Sequence, residues 1–228
     1  MTKRILATGA LAFTVTTLTG TLPAAAQTLP PPQTPPVTNI GNVSIGGVVG
    51  IAAVQNVGGL VGGRIGYQVS PRFEIIGDAT WMQDTVTRRR LDTATQVAGY
   101  LQNTQGAAAT GTVAEPTWSL RGGAQITIAS HGRTDFYVAV QAGAARVVLQ
   151  PTFTLNNSDV TTKLPTYGVV LGSDLSGEST VADYSGGVGV RIPHGPWNFD
   201  IGLHVESVRT PDQPSMVVGV SFAVMRRF

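Results

Sequence analysis

Residues 197–205 read WNFDIGLHV. Trp197, Phe199, Ile201, Leu203 and Val205 fall at every second position, and Asn198, Asp200 and His204 fall between them. A period of two is the signature of a strand, because successive side chains leave a pleated backbone on opposite faces. One face here is apolar and the other is polar or charged. The same alternation recurs in 73–81, FEIIGDATW. There Phe73, Ile75, Ala79 and Trp81 oppose Glu74, Asp78 and Thr80. In 118–128 it sets Trp118, Leu120, Ala124, Ile126 and Ile128 against Ser119, Arg121, Gln125 and Thr127.

Worked outward from these segments, the alternation predicts eight strands, near 43–56, 60–69, 72–85, 117–129, 135–149, 181–192, 197–208 and 216–228. Each is long enough to cross a bilayer when tilted, which takes about 9–11 residues. Three connections are tight turns, at Ser70-Pro71, at 130–133 and at 193–196. They alternate with longer linkers near 87–115, 150–179 and 210–215. The connection at 56–59 is short where the alternation calls for a long one. Short turns at one end and long loops at the other is the pattern of a transmembrane barrel. Backbone polar groups cannot stay unpaired in hydrocarbon, so such strands must close on themselves. The expected fold is therefore an all-β, eight-stranded, antiparallel up-and-down transmembrane barrel over 42–228.

The start of the chain fits export. Lys3 and Arg4 precede an apolar, threonine-diluted stretch, and Ala24-Ala25-Ala26 ends it. That is the order of a secretory signal peptide, expected over 1–26. Residues 27–41 contain five prolines and predict an extended periplasmic spacer. The full chain carries 15 Lys+Arg and 13 Asp+Glu. Without Lys3 and Arg4 the basic residues number 13, so the exported chain is formally neutral. No positive field remains to neutralise phosphates, and nucleic acid is not expected as a partner. Cysteine is absent, which excludes disulfides and thiolate metal sites. Neither metal-ligand spacing nor a phosphate-binding loop is present among the glycines, and no cofactor is expected.

The inward faces carry Arg64, Gln68, Glu74, Asp78, Arg121, Gln125, Gln141, Asp183, Arg191, Asp200, His204 and Glu206. Buried charges are tolerated only when paired and hydrogen-bonded. A compensated interior network is expected, with Arg64, Arg121 and Arg191 meeting Glu74, Asp78, Asp200 and Glu206. An eight-stranded lumen is just wide enough for side chains to fill. Dense glycines on the strands relieve crowding in so narrow a cylinder. Trp81, Trp118, Trp197, Tyr67, Phe73, Phe199 and Phe228 sit near strand ends, where aromatic belts anchor barrels.

The last strand reads MVVGVSFAVMRRF over 216–228, with Val218, Val220, Phe222 and Val224 alternating toward Phe228. On these residues and on its topology the chain resembles the eight-stranded outer-membrane barrel family that includes the OmpA transmembrane domain and the opacity-type surface proteins. The resemblance covers about 42–228. It implies that Val220, Phe222, Val224 and Phe228 form an assembly signal read by the barrel-insertion machinery. It also implies a Gram-negative outer-membrane location among lipid and lipopolysaccharide. Arg226 departs from strict apolarity, and an arginine at the headgroup boundary can snorkel. No wall-tethering domain follows Phe228, so that role of longer relatives is not expected.

Arg88-Arg89-Arg90 open the second long linker, and Leu91, Ala94, Val97, Ala98 and Leu101 recur at helical spacing. A short helix is expected near 91–103, leaning on the barrel mouth, with the three arginines placed to meet lipopolysaccharide phosphate. A solvated charge run is the other reading of them. Catalytic residues are not expected. Some barrels of this fold modify lipid A, and His204 with Glu206 and Ser207 is the constellation to weigh, but parity puts Ser207 on the opposite face from His204. Three classes stay open: a monomeric envelope or surface protein acting through its loops, a narrow channel, and a lipid A-modifying enzyme. No loop ligand is legible.

Overall fold

The structure, a computed structural model, describes residues 42–209 and 214–228. The expected signal peptide at 1–26 and spacer at 27–41 lie outside the described residues, as does 210–213 of the last linker. Among the described residues ten strands form in chain order: β1 (Val43–Ala53), β2 (Val57–Ser70), β3 (Phe73–Met82), β4 (Ala109–Ala114), β5 (Thr117–His131), β6 (Thr134–Leu155), β7 (Ser158–Asp159), β8 (Gly177–His194), β9 (Trp197–Arg209) and β10 (Pro214–Arg227). A helix α1 (Arg88–Gln105) precedes β4, and a 3₁₀ helix (Thr161–Tyr167) follows β7.

Eight of these strands close a ring. The order is β1-β2-β3-β5-β6-β8-β9-β10, every neighbouring pair is antiparallel, and β10 pairs back onto β1. The seam registers Ile45 with Arg226 and Ile51 with Val220. Each strand lies next to its sequence neighbour, so no connection crosses the cylinder.

The period-two reading holds on every ring strand. Glu74, Ile76, Asp78, Thr80 and Met82 of β3 are buried, and Ile75 between them is exposed. On β5, Trp118 is 60% and Leu120 69% exposed, and Thr117, Ser119, Arg121 and Gln125 are buried. Large apolar side chains therefore point away from the cylinder. A water-soluble barrel would turn them inward, because burying apolar surface is what drives its folding.

Glycine makes the charged lumen fit. A Cβ at Gly143 would lie 2.0 Å from the Leu120 carbonyl oxygen and 2.8 Å from the Arg121 Cα. A Cβ at Gly189 would lie 2.5 Å from the Tyr137 ring, and one at Gly219 would lie 2.4 Å from His204 Nε2. Gly143 lets two strand backbones approach closely, and at Gly189 and Gly219 long inward side chains lie across the bare backbone of another strand.

The tight turns gather at one end, with Gly132 at φ 61° and Gly195 at φ 58°, the left-handed region that favours glycine. At the other end β6 runs on past the ring and pairs with β4 through 150–155. Sequence reading placed 109–114 and 150–155 in linkers. In β4 the alanines and Gly111 dilute the strand propensity of Thr110, Thr112 and Val113. Pairing makes up for it, including a Thr110–Thr154 hydroxyl contact of 2.7 Å. Helix α1 is also longer than the expected 91–103. It starts at Arg88, since arginine is a good helix former, and ends at Gly106, whose φ of 62° closes the last turn onto the Gln102 carbonyl. The short connection at 56–59 is a real hairpin, with β1 ending at Ala53 and β2 starting at Val57.

Candidate functional site

The lumen is the site that sequence reading singled out, and its charges stack in three tiers. Nearest the tight turns, Arg191 of β8 stands between two carboxylates. Its Nη1 is 2.7 Å from Glu74 Oε2 and its Nε is 3.0 Å from Asp200 Oδ1. Ser44 donates to the other Glu74 oxygen at 3.1 Å. In the middle, Arg64 Nε and Nη2 donate to the two Asp78 oxygens at 2.7 and 2.9 Å. Gln141 also donates to Asp78, at 2.9 Å, and accepts from Ser185 at 3.1 Å. Nearest the long loops, Arg121 pairs with Glu206, donates to Thr80 at 3.1 Å, and lies 3.8 Å from Asp183. Ser119 donates to Glu206 at 3.2 Å.

All seven residues expected in the interior network are thus brought together. Each arginine meets its acid on another strand: β2 with β3, β5 with β9, and β8 with both β3 and β9. Removing a charge from water is offset only by such close pairing with added hydrogen bonds. Asp183 is the member that the expected network omitted. Its inward parity was readable, but its distance from any arginine was not, because Arg121 reaches it across Gly143 of β6. The central cavity, lined by Arg64, Asp78, Arg121, Tyr137, Gln141 and His204, has a volume of only about 40 Å³. That is room for a few waters at most.

His204 is inward and half-buried, and Ser207 lies on the opposite parity of β9, as read from the sequence. No catalytic grouping of His204, Glu206 and Ser207 forms. Among the described residues no cluster of three or more His, Asp or Glu could hold a metal ion.

The long-loop end carries a second unit. Ala94 and Leu101 of α1 pack with Val86, Val113, Phe153, Val160, Leu164 and Leu175 into one apolar cluster. Val113 and Phe153 continue the inward parity of β5 and β6, so α1 packs against the face that prolongs the lumen side of the wall. Two long loops are thereby joined into one cap. Arg90 is buried in it and pairs with Glu115, whose backbone N–H bonds Asp84 at 3.1 Å. Burial pushes the Glu115 carboxyl up, against the pull of Arg90. The sequence reading is corrected here: Arg90 faces inward on a buried acid, so only Arg88 and Arg89 of the arginine run are exposed. The signal missed was that Arg90 shares the helical stripe of Ala94, Ala98 and Leu101.

On the last strand Val218, Val220 and Phe222 point outward and exposed, and Phe228 is exposed at the end. Arg226 does not stand alone among them. Its guanidinium lies 5.9 Å from the Trp197 ring centre and 5.1 Å from that of Phe228, a cation–π arrangement. Trp81 and Trp118 adjoin at 6.4 Å at the opposite end of the wall. Beyond Trp118 the outward residues of β4 are Ala114, Thr112 and Thr110, so the apolar band stops there.

An outward apolar band between aromatic ends, a closed eight-strand ring and a charged, filled lumen define the class: a small transmembrane β-barrel of the outer-membrane type. One solved structure bears out the fold. The chain is similar to Neisserial surface protein A (NspA), with a TM-score of 0.50 and 11% identity over 82% of this chain and 96% of that one. It also matches Ail, the attachment invasion locus protein of Yersinia pestis, with a TM-score of 0.42 and 14% identity over 82% and 96%. A third match is the N-terminal β-barrel domain of Pseudomonas aeruginosa OprF, at 0.42 and 14% over 82% and 98%. At such identities the likeness to NspA concerns the fold. No family model matches the chain, and no curated protein matches it in sequence.

Proposed function

We propose that this chain is an integral, non-enzymatic protein of the Gram-negative outer membrane that seals its own lumen and presents a folded two-loop cap to the cell exterior. The observation that carries the reading is the pairing of an apolar exterior with a lumen filled by three ion-pair tiers. The exterior needs lipid, and the filled lumen leaves no continuous path for solutes. The tight turns then face the periplasm and the cap faces outward. Its role is envelope integrity or surface interaction through the cap. Lipid and lipopolysaccharide are its surroundings, with Arg88 and Arg89 placed to meet lipopolysaccharide phosphate. The barrel-insertion machinery reads Val220, Phe222, Val224 and Phe228 during assembly.

The test uses the absence of cysteine. A Thr95→Cys variant on the exposed side of α1 is labelled on intact cells with a membrane-impermeant maleimide. Labelling of intact cells supports the orientation; labelling only after lysis refutes it. Planar-bilayer recording of the purified chain is expected to show no steady conductance, and a stable ohmic current would replace this reading with a channel.

A further inference from the structure

Three arginines stand on the outward face of the ring strands: Arg146, Arg209 and Arg226. Two of them lie at the long-loop end. There the wall supplies its own counter-charge, because Arg146 pairs with Glu178 at 2.5 Å. Arg209 ends β9 beside the loops, over the Tyr184 ring. Arg226 stands at the tight-turn end. Its cross-strand neighbours are Ile45 of β1 and Trp197 of β9. The outward residues on either side of it along the chain are Val224 and Phe228. None of these four side chains is acidic. Trp197 and Phe228 hold the guanidinium between their rings. A guanidinium offers its flat face to a ring and keeps its in-plane N–H donors for a second partner.

The wall beside this cation is bare. Two residues toward mid-wall, Gly47 of β1 registers with Val224, and Gly63 of β2 registers with Gly47. Two residues of strand place this strip about 7 Å from the level of Arg226. Inward Gly46 has to be glycine, since its Cβ would lie 1.9 Å from the Val224 carbonyl oxygen. Packing makes no such demand on its outward neighbours. A Cβ at Gly47 would meet nothing nearer than 4.0 Å, and one at Gly63 nothing nearer than 3.7 Å. Exposed Ile45, Ile65, Val49 and Val61 bound the strip and make it a shallow apolar trough.

We propose that Arg226 and its two rings bind the phosphate of an anionic glycerophospholipid in the periplasmic leaflet, with one acyl chain lying in the Gly47–Gly63 trough. The choice of leaflet rests on the orientation proposed above. Charge complementarity selects the lipid. A zwitterionic headgroup carries its own ammonium, which neutralises its phosphate and is repelled by the guanidinium. A glycerol headgroup has no such cation, so its phosphate takes Arg226 as counter-charge through charge-assisted hydrogen bonds. Arg72 and Arg133 are exposed in two of the tight turns and make the rim basic, and the nearby Asp135 is tied to Ser130 at 2.6 Å. They lend a general field, whereas Arg226 lends the site.

The test reads Trp197, which Trp81→Phe with Trp118→Phe leaves as the sole tryptophan. This parent is folded from urea into phosphatidylcholine vesicles containing a minor share of lipid brominated near the headgroup. The brominated lipid is either phosphatidylcholine or phosphatidylglycerol. Phosphatidylglycerol is expected to quench Trp197 about fivefold more effectively, the worth of one arginine beside anionic lipid. Arg226→Gln is expected to remove the difference. Equal quenching by both lipids in the parent overturns the site and leaves the membrane reading intact. Quenching by neither overturns that reading, and the site with it. A preference that survives Arg226→Gln, or one that vanishes with Arg72→Gln and Arg133→Gln, belongs to the general field and overturns the site. Should Arg226→Gln fail to fold, Arg226→Lys decides. A lysine cannot grip two phosphate oxygens as a planar fork does, so the preference should shrink, and an undiminished one overturns the proposal.

Discussion

Arg64 and Asp78 meet across the β2–β3 pairing in a two-point contact, both oxygens of the acid bound by one guanidinium. Gln141 closes the same acid from β6. The contact ties three strands at mid-lumen, and its worth lies in what breaking it leaves behind. Asp78→Ala strands a buried guanidinium and is expected to cost about 3–5 kcal/mol. The double change Arg64→Met with Asp78→Leu removes both charges and is expected to cost far less. Urea unfolding in detergent micelles measures both. Additive costs, with no coupling between the two positions, would contradict the pairing.

The cap has its own apolar centre, and Phe153 is its largest fully buried side chain. Phe153→Ala is expected to cost the cap about 3–5 kcal/mol. The ring of eight strands does not depend on it. Limited proteolysis of the folded chain should therefore cut within 83–116 and 156–176 while the barrel keeps its compact migration on unheated gels. Loss of that migration together with the cap would show the two to be one cooperative unit.

Glu115 gives the cap a dependence on pH. Burial raises its carboxyl above the ordinary glutamate range, so the docked cap holds that proton more tightly than the exposed chain does. Stability from this group is fully present below the ordinary range and is lost as pH rises through the raised value. A fluorophore on Thr95→Cys reports cap docking against urea at several pH values. The midpoint should fall as pH rises, and Glu115→Gln should flatten that slope. A slope unchanged by Glu115→Gln would assign it to another group.

Arg88 and Arg89 remain exposed where Arg90 is spent on Glu115. Arg88→Gln with Arg89→Gln is expected to lower lipopolysaccharide retained by the purified chain, and to leave its unfolding midpoint within about 0.5 kcal/mol of the parent. Unchanged retention would leave the two as a solvated charge run.

Much of this was legible because a barrel writes its two environments into alternate positions. Trp118, Leu120 and Ile126 against Ser119, Arg121 and Gln125 fix which way β5 faces, and a one-residue slip of that strand would put Arg121 into lipid. That parity named all seven network residues. Parity cannot say how far apart two inward groups stand around the ring, which is why Asp183 joined Arg121 unannounced. The cap was harder for a different reason. The pairing of 109–114 with 150–155 joins two loops far apart in sequence, and the alanines and Gly111 interrupt the local strand signal of Thr110, Thr112 and Val113. Arg90 was misread by charge when its place on the helical stripe, four residues before Ala94, already turned it inward.

Trp118 offers the most direct measurement of the whole account, since it is the most exposed tryptophan side chain on the outward face. Trp81→Phe with Trp197→Phe leaves it as the sole tryptophan. The chain is folded into vesicles whose acyl chains are brominated near the headgroup, and its fluorescence is compared with that in unbrominated lipid. Strong quenching by the lipid, together with protection from acrylamide in water, is the expected result. Quenching by aqueous acrylamide and indifference to brominated acyl chains would contradict an exterior that faces hydrocarbon.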